Sequence, residues 1–207
     1  TSAPVETDAP VETDAPVETD APVETDAPVD TEAPAEGGGV TDMDLVLLRT
    51  ATSLELAAVA AYQAAIDNAE ALGITAPVAE AAVLFQGHHS EHAAALQGGT
   101  EAAGGTPYEE ANPFLMENVI NPAIGELSDE AGTVEFALML EIAASQTYTF
   151  AGSALSMPSL RQTIMSIGGV EERHATVLRG VLGQPQVPNS FNPTTDAAPE
   201  DSFVSAS

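Results

Sequence analysis

Val170-Glu171-Glu172-Arg173-His174-Ala175 lies late in the chain, inside a run that reads as helix. Glu171 and His174 are three apart, so a helix sets them on one face about one turn from each other. A carboxylate and an imidazole at that spacing can grip one metal ion together. Alone, the pair reads as a solvated surface charge beside a satisfied core histidine, because short motifs match by chance. Its second occurrence in the chain changes the reading.

That occurrence is Phe85-Gln86-Gly87-His88-His89-Ser90-Glu91-His92-Ala93, where His88 and His92, and His89 and His92, share one helix side. His88, His89, His92 and His174 are all the histidines of the chain. Working outward, Leu45, Leu48, Thr52, Glu55, Val59, Tyr62 and Ile66 recur at threes and fours and mark a buried stripe. Val134, Leu138, Glu141, Ser145, Tyr148 and Gly152 mark another. Each stripe has a glutamate at its middle, where an unpaired carboxylate is costly to bury. Protonation or a cation must offset that cost.

Four long helices are predicted. The first runs from Thr41 or Asp42 to about Leu72, and the second from Pro77 to about Gln97, ended by Gly98-Gly99. The third is capped by Ser128, and the fourth spans about Ser159 to Leu182. A long crossover, about residues 98–127, separates the pairs and holds a short helix over Pro113 to Ile120. The pairs repeat each other. Leu54-Glu55-Leu56-Ala57-Ala58 matches Leu140-Glu141-Ile142-Ala143-Ala144, with Tyr62 and Tyr148 each seven residues past the glutamate. His89-Ser90-Glu91-His92-Ala93 matches Glu171-Glu172-Arg173-His174-Ala175. An all-α fold follows, with residues 40–183 closing a four-helix bundle from two helix-pair repeats. One central layer would contain Glu55, His89, His92, Glu141, Glu171 and His174.

On these motifs the chain resembles the ferritin-like superfamily, in particular bacterial ferritin-like domain proteins with a His-His-x-Glu-His second helix. The resemblance covers about residues 41–182. It implies two metal ions held by one Glu from each of two helices and a Glu-x-x-His from each of the others. Glu55 and Glu141 take the single-Glu places, and Glu171 with His174 takes one Glu-x-x-His. His92 takes the other His place, but His89 stands where the pattern has Glu. Iron or manganese, one ion or two, is the expected cofactor, with zinc the lesser candidate. Ferroxidase-like or catalase-like redox activity is what the resemblance implies. Tyr62 and Tyr148 are expected as core aromatics, Glu91 as an outward residue pairing with Arg173, and His88 as an outer donor or extra ligand.

Composition narrows the partners. The 207 residues carry a formal charge of −28 with four arginines and no lysine, which argues against nucleic acid or an anionic membrane. Without cysteine there is no disulfide or thiolate metal site. No apolar stretch appears long enough to span a bilayer. Residues 1–39 form an acidic spacer repeating Ala-Pro-Val-Glu-Thr-Asp, too proline-rich for helix and too polar to collapse. Such spacers hold domains away from a cell surface, so a secreted or cell-surface protein is expected. A structural alternative is a homo-oligomer, filament or surface layer assembled through the repeats, with metal a clamp or absent. Residues 184–207 read as an irregular tail.

Overall fold

The computed structural model describes residues 39–207. The acidic repeat, and the assembly expected through it, lie outside the described residues. Among the described residues every regular element is helical. Four are long: α1 (Asp42–Asp67), α2 (Ala76–Ala102), α5 (Glu130–Ala154) and α6 (Pro158–Val181). In the crossover, α3 (Pro113–Leu115) and α4 (Asn121–Glu126) flank a π-helical stretch, Met116–Ile120.

Local chemistry sets the ends. Thr41 and Asp44 exchange hydrogen bonds as a capping box at the start of α1. Asp44 also accepts from the Ser156 N–H (2.7 Å), tying this turn to the α5–α6 joint. α1 stops at Asp67 rather than Leu72, because Asn68 caps it with its side chain on the Ala64 carbonyl (2.8 Å). Turns then lead to Gly73, whose φ of 64° favours glycine. α2 runs through Gly98-Gly99 to Ala102. Each helical glycine costs about 1 kcal/mol, and fully buried Leu96 and Thr100 hold the last turns in place. Asp129 rather than Ser128 caps α5, accepting from the Gly132 N–H (2.8 Å). The crossover helix outruns its expected end: the π-helical stretch runs straight into α4, and the helical run passes Pro122 to Glu126.

α1 packs along α2, and α5 along α6, while α1 meets α5 and α2 meets α6 far more sparsely. The result is a helical bundle of two hairpins. Three apolar clusters fill it, the smallest joining Ala57, Ala61 and Ile120 beside the crossover, and two larger ones lie along the long helices. One joins Leu47, Leu48, Leu96, Leu155, Ile164 and Ile167; the other joins Phe85, Val134, Leu138, Ala175 and Leu178. Along each long helix the candidate ligands fall between those two sets, so a polar layer is sealed by apolar packing on both sides. Contrary to the reading of its sequence, α1 is long and apolar enough to cross a membrane by length and composition. Here 61% of its most apolar window is buried within the bundle, where it carries Glu55.

The tail has little regular structure beyond a 3₁₀ turn, Glu200–Ser202. It is nevertheless fastened. Its residues bond to Gln146 and Thr147 on α5, then to Asn112 in the crossover and Thr50 on α1. The tail is thus a strap across the α1–α5 seam.

Candidate metal centre

The structure brings all six predicted side chains into one layer. Glu55 comes from α1, His89 and His92 from α2, Glu141 from α5, and Glu171 and His174 from α6. Five are buried, Glu171 completely; His92 alone keeps a partly exposed side chain. Ligand atoms of Glu55, His89, His92 and Glu171 lie within 4.8 Å of one another, as do those of His89, Glu141, Glu171 and His174. Two overlapping groups therefore share His89 and Glu171.

His89 spans them through its ring. Its Nδ1 stands 2.6 Å from Glu55 Oε2 and its Nε2 3.1 Å from Glu141 Oε1. Glu171 spans them through its carboxylate, with Oε1 2.7 Å from His92 Nδ1 and Oε2 3.3 Å from His174 Nδ1. His174 Nδ1 also lies 3.2 Å from Glu141.

Charge follows from these neighbours. Burial opposes ionisation of Glu141, yet hydrogen bonds with His174 and His89 hold its carboxyl well below the ordinary range. Glu55 is lowered in the same way, burial being outweighed by His89 and His92. Burial disfavours protonated imidazole at His89 and His92, but adjacent carboxylates overturn it. His89 is raised well above its usual value, and His92 to about 9. Glu171 goes the other way, pushed up by burial and then by the charge of Glu55.

The tyrosines pack in the apolar clusters, as expected of core aromatics, and their hydroxyls are in addition polar partners of the layer. Tyr62 on α1 donates to Glu141 on α5, and Tyr148 on α5 donates to Glu55 on α1. The bonds cross between the hairpins. Gly168 on α6 makes room for one of them, since a Cβ there would lie 2.7 Å from the Tyr148 Cβ. His88 is an outer partner rather than a ligand. Its Nδ1 is 2.9 Å from His174 Nε2, the two rings are nearly coplanar in stacking (5°), and Phe85 covers the His174 face at 4.0 Å. Glu91 points outward as expected, but no Glu91–Arg173 ion pair forms among the described residues; Arg179 pairs with Glu172 instead (3.1 Å). The sequence signal for the tyrosines was their equal offset from the two glutamates. His88 was signalled only by its place next to the motif.

One feature tests whether a cation suits these residues. Both Glu171 oxygens and His92 Nδ1 are buried without a hydrogen-bond partner, although Oε1 and Nδ1 stand only 2.7 Å apart. A carboxylate buried without donors costs several kcal/mol (~3–5 when a buried pair is broken), and a cation between the groups offsets that. Three carboxylates and three imidazoles are the oxygen and nitrogen donors that first-row metals accept. The donor set fits.

A family model for the ferritin-like domain matches residues 43–184. No curated protein matches the chain.

Proposed function

Because the chain belongs to the ferritin-like domain family, we propose that its buried layer holds one or two transition-metal ions, iron or manganese. The observation that carries this is Glu171, fully buried between two histidines with neither oxygen hydrogen-bonded. Glu55, His92 and Glu171 would hold one ion and Glu141, His174 and Glu171 a second, with neutral His89 giving its one free ring nitrogen to either. This is a four-helix bundle of two helix-pair repeats, each supplying one half of the centre. Three carboxylates favour iron or manganese over zinc, which thiolate and imidazole sites suit better.

When bound, such an ion supplies one-electron redox chemistry toward ferrous iron or peroxide. The chain's own groups prepare the place for it. Tyr62 and Tyr148 donate to Glu141 and Glu55 and fix which carboxylate oxygen remains free. His88 accepts from or donates to His174 Nε2, which orients Nδ1 toward the two carboxylates. The apolar clusters cover the layer on either side along the bundle.

The experiment is metal content per chain after purification and after reloading with Fe(II) or Mn(II), for wild type, Glu171→Ala and His92→Ala. Wild type should hold one or two ions and Glu171→Ala none. A wild-type chain that takes up neither metal at micromolar concentration sinks the proposal. Oxygen consumption on adding ferrous iron then separates turnover from ligation.

A further inference from the structure

A cavity of about 640 Å³ lies between α1 and α5, which touch sparsely. Its walls are aliphatic: Leu54 and Ala58 of α1, Val119 of the crossover, and Leu140, Ala143 and Ala144 of α5. At its inner end are Glu55 and His89, members of the metal layer, with Tyr148 beside them. At its outer edge is the strap, through Asp196, Ala197, Ala198 and Pro199. Those strap residues are held where they are. Gln146 and Asp196 exchange two hydrogen bonds (3.0 and 2.8 Å), and the Ala198 N–H donates to Thr147 Oγ1 (2.8 Å). On the far side the Val204 N–H donates to Thr50 Oγ1 (3.0 Å), and Asn112 Nδ2 to the Ser202 carbonyl (2.8 Å).

An apolar hollow is a standing cost to folding, and larger side chains at Ala58, Ala143 and Ala144 would remove it. A strap bonded across the hollow, rather than a core collapsed into it, keeps the space open. Its size falls within the range of about 300–1,000 Å³ that small-molecule sites occupy. Charge decides the class of occupant. Glu135 and Asp196 at the edge, Glu55 within and a formal charge of −28 all oppose an anion. Past Glu135 and Asp196 at the edge, the aliphatic walls give a cation no partner before the ligand layer. A protein surface cannot enter a space already bounded by two helices, the crossover and the chain's own tail.

We propose that this cavity binds an uncharged, apolar small molecule, with one end against Glu55 and His89 and the other beneath the strap. This deepens the proposed function by giving that centre a substrate class, and only the role of the inner end rests on that reading. Occupancy of the cavity does not.

The test uses the full chain, metal-free and metal-loaded, with the neutral fluorophore N-phenyl-1-naphthylamine. Its anionic relative 1-anilinonaphthalene-8-sulfonate serves as the comparison. The neutral probe should saturate at one per chain, bind at least tenfold more tightly than the sulfonate, and be displaced by 1-decanol but not by decanoate. Ala143→Phe, and separately the milder Ala58→Leu, should weaken the neutral probe tenfold or more while leaving metal content per chain unchanged. Circular dichroism identifies a variant that has failed to fold, and Ala58→Leu then decides. Absence of saturable binding, equal affinity for the sulfonate, or undiminished binding in a folded filled variant overturns the proposal. So does a dimer, seen by light scattering, that excludes the probe. Probe binding by a chain that takes up no metal sinks the metal centre alone, and metal uptake without probe binding sinks the cavity alone.

Discussion

The two hairpins furnish the centre with the same parts except at one position. Each gives a mid-stripe glutamate (Glu55, Glu141), a tyrosine crossing to the other's glutamate (Tyr62, Tyr148), and a histidine at the end of a three-residue step (His92, His174). The step begins with His89 in the α1–α2 half and Glu171 in the α5–α6 half. His89 is satisfied at both nitrogens by the two glutamates, whereas Glu171 has no hydrogen bond at either oxygen. A proton on the imidazole therefore settles one half in the absence of metal. The other half has a carboxylate without a hydrogen bond, which a proton or a cation must settle. One changed residue has made a near-symmetric layer polar.

The sharpest way to break this comparison is Glu171→Leu. Removing the shared carboxylate should abolish metal uptake. It should also stabilise the metal-free protein by about 1–3 kcal/mol, because a buried carboxyl with no hydrogen bond is replaced by apolar volume. Melting temperature in chelator and metal per chain by mass spectrometry read the two effects. A lower melting temperature without metal means that Glu171 is already satisfied, and the contrast with His89 is then gone. His89→Glu makes the halves alike. Four carboxylates would meet with one fewer imidazolium, so the metal-free protein should lose roughly 3–5 kcal/mol and recover it with Mn(II). Equal melting shifts on adding metal to wild type and variant would show that His89 was never the proton-bearing half.

A pH titration of the metal-free protein sharpens the same point. His92 is raised from 6.5 to about 9, so its contribution is complete below 6.5 and is lost as pH climbs through 9. Glu55 and Glu141 are lowered from 4.5, so theirs is present above 4.5 and is lost as pH falls below it. Stability without metal should be greatest between about 4.5 and 6.5 and decline by on the order of 1–3 kcal/mol toward pH 9.5. Metal-loaded protein needs neutral imidazoles and should show no such alkaline decline. Denaturant midpoints at fixed pH, with and without metal, check both curves.

The six-residue layer was legible because its signals are physical oddities. Glutamates at the middle of apolar stripes and histidines confined to two places are hard to place in any ordinary core. Helix ends were less legible. Asn68 ended α1 one turn and more before Gly73, and Gly98-Gly99, a plausible stop, is overridden by the packing of Leu96 and Thr100. The tyrosines were visible at equal offsets, but an aromatic in a stripe is usually packing. Only the crossing of the hairpins shows that the hydroxyls reach carboxylates. The strap was least legible. Its anchors are backbone N–H and carbonyl groups meeting Thr50, Asn112, Gln146 and Thr147, and no periodicity announces such partners.

The smallest expected effect asks whether the halves are equivalent away from the odd position. Tyr62→Phe leaves Glu141 with His89 and His174 as partners, and Tyr148→Phe leaves Glu55 with His89 and a more distant His92 at 3.7 Å. Each loses one hydrogen bond to an ionised carboxylate, worth about 1.5–3 kcal/mol when buried. The rings stay, so packing against Gly168 or Phe85 is unchanged. Because Glu55 has the poorer remaining set, Tyr148→Phe should cost the metal-free protein slightly more than Tyr62→Phe. Metal should narrow that gap, since an ion takes over the carboxylate's unmet charge in either half. Chemical denaturation of both variants with and without Mn(II) measures it. A gap that widens on metal binding would mean that the tyrosine hydroxyls, not the His89–Glu171 exchange, are where the two halves differ.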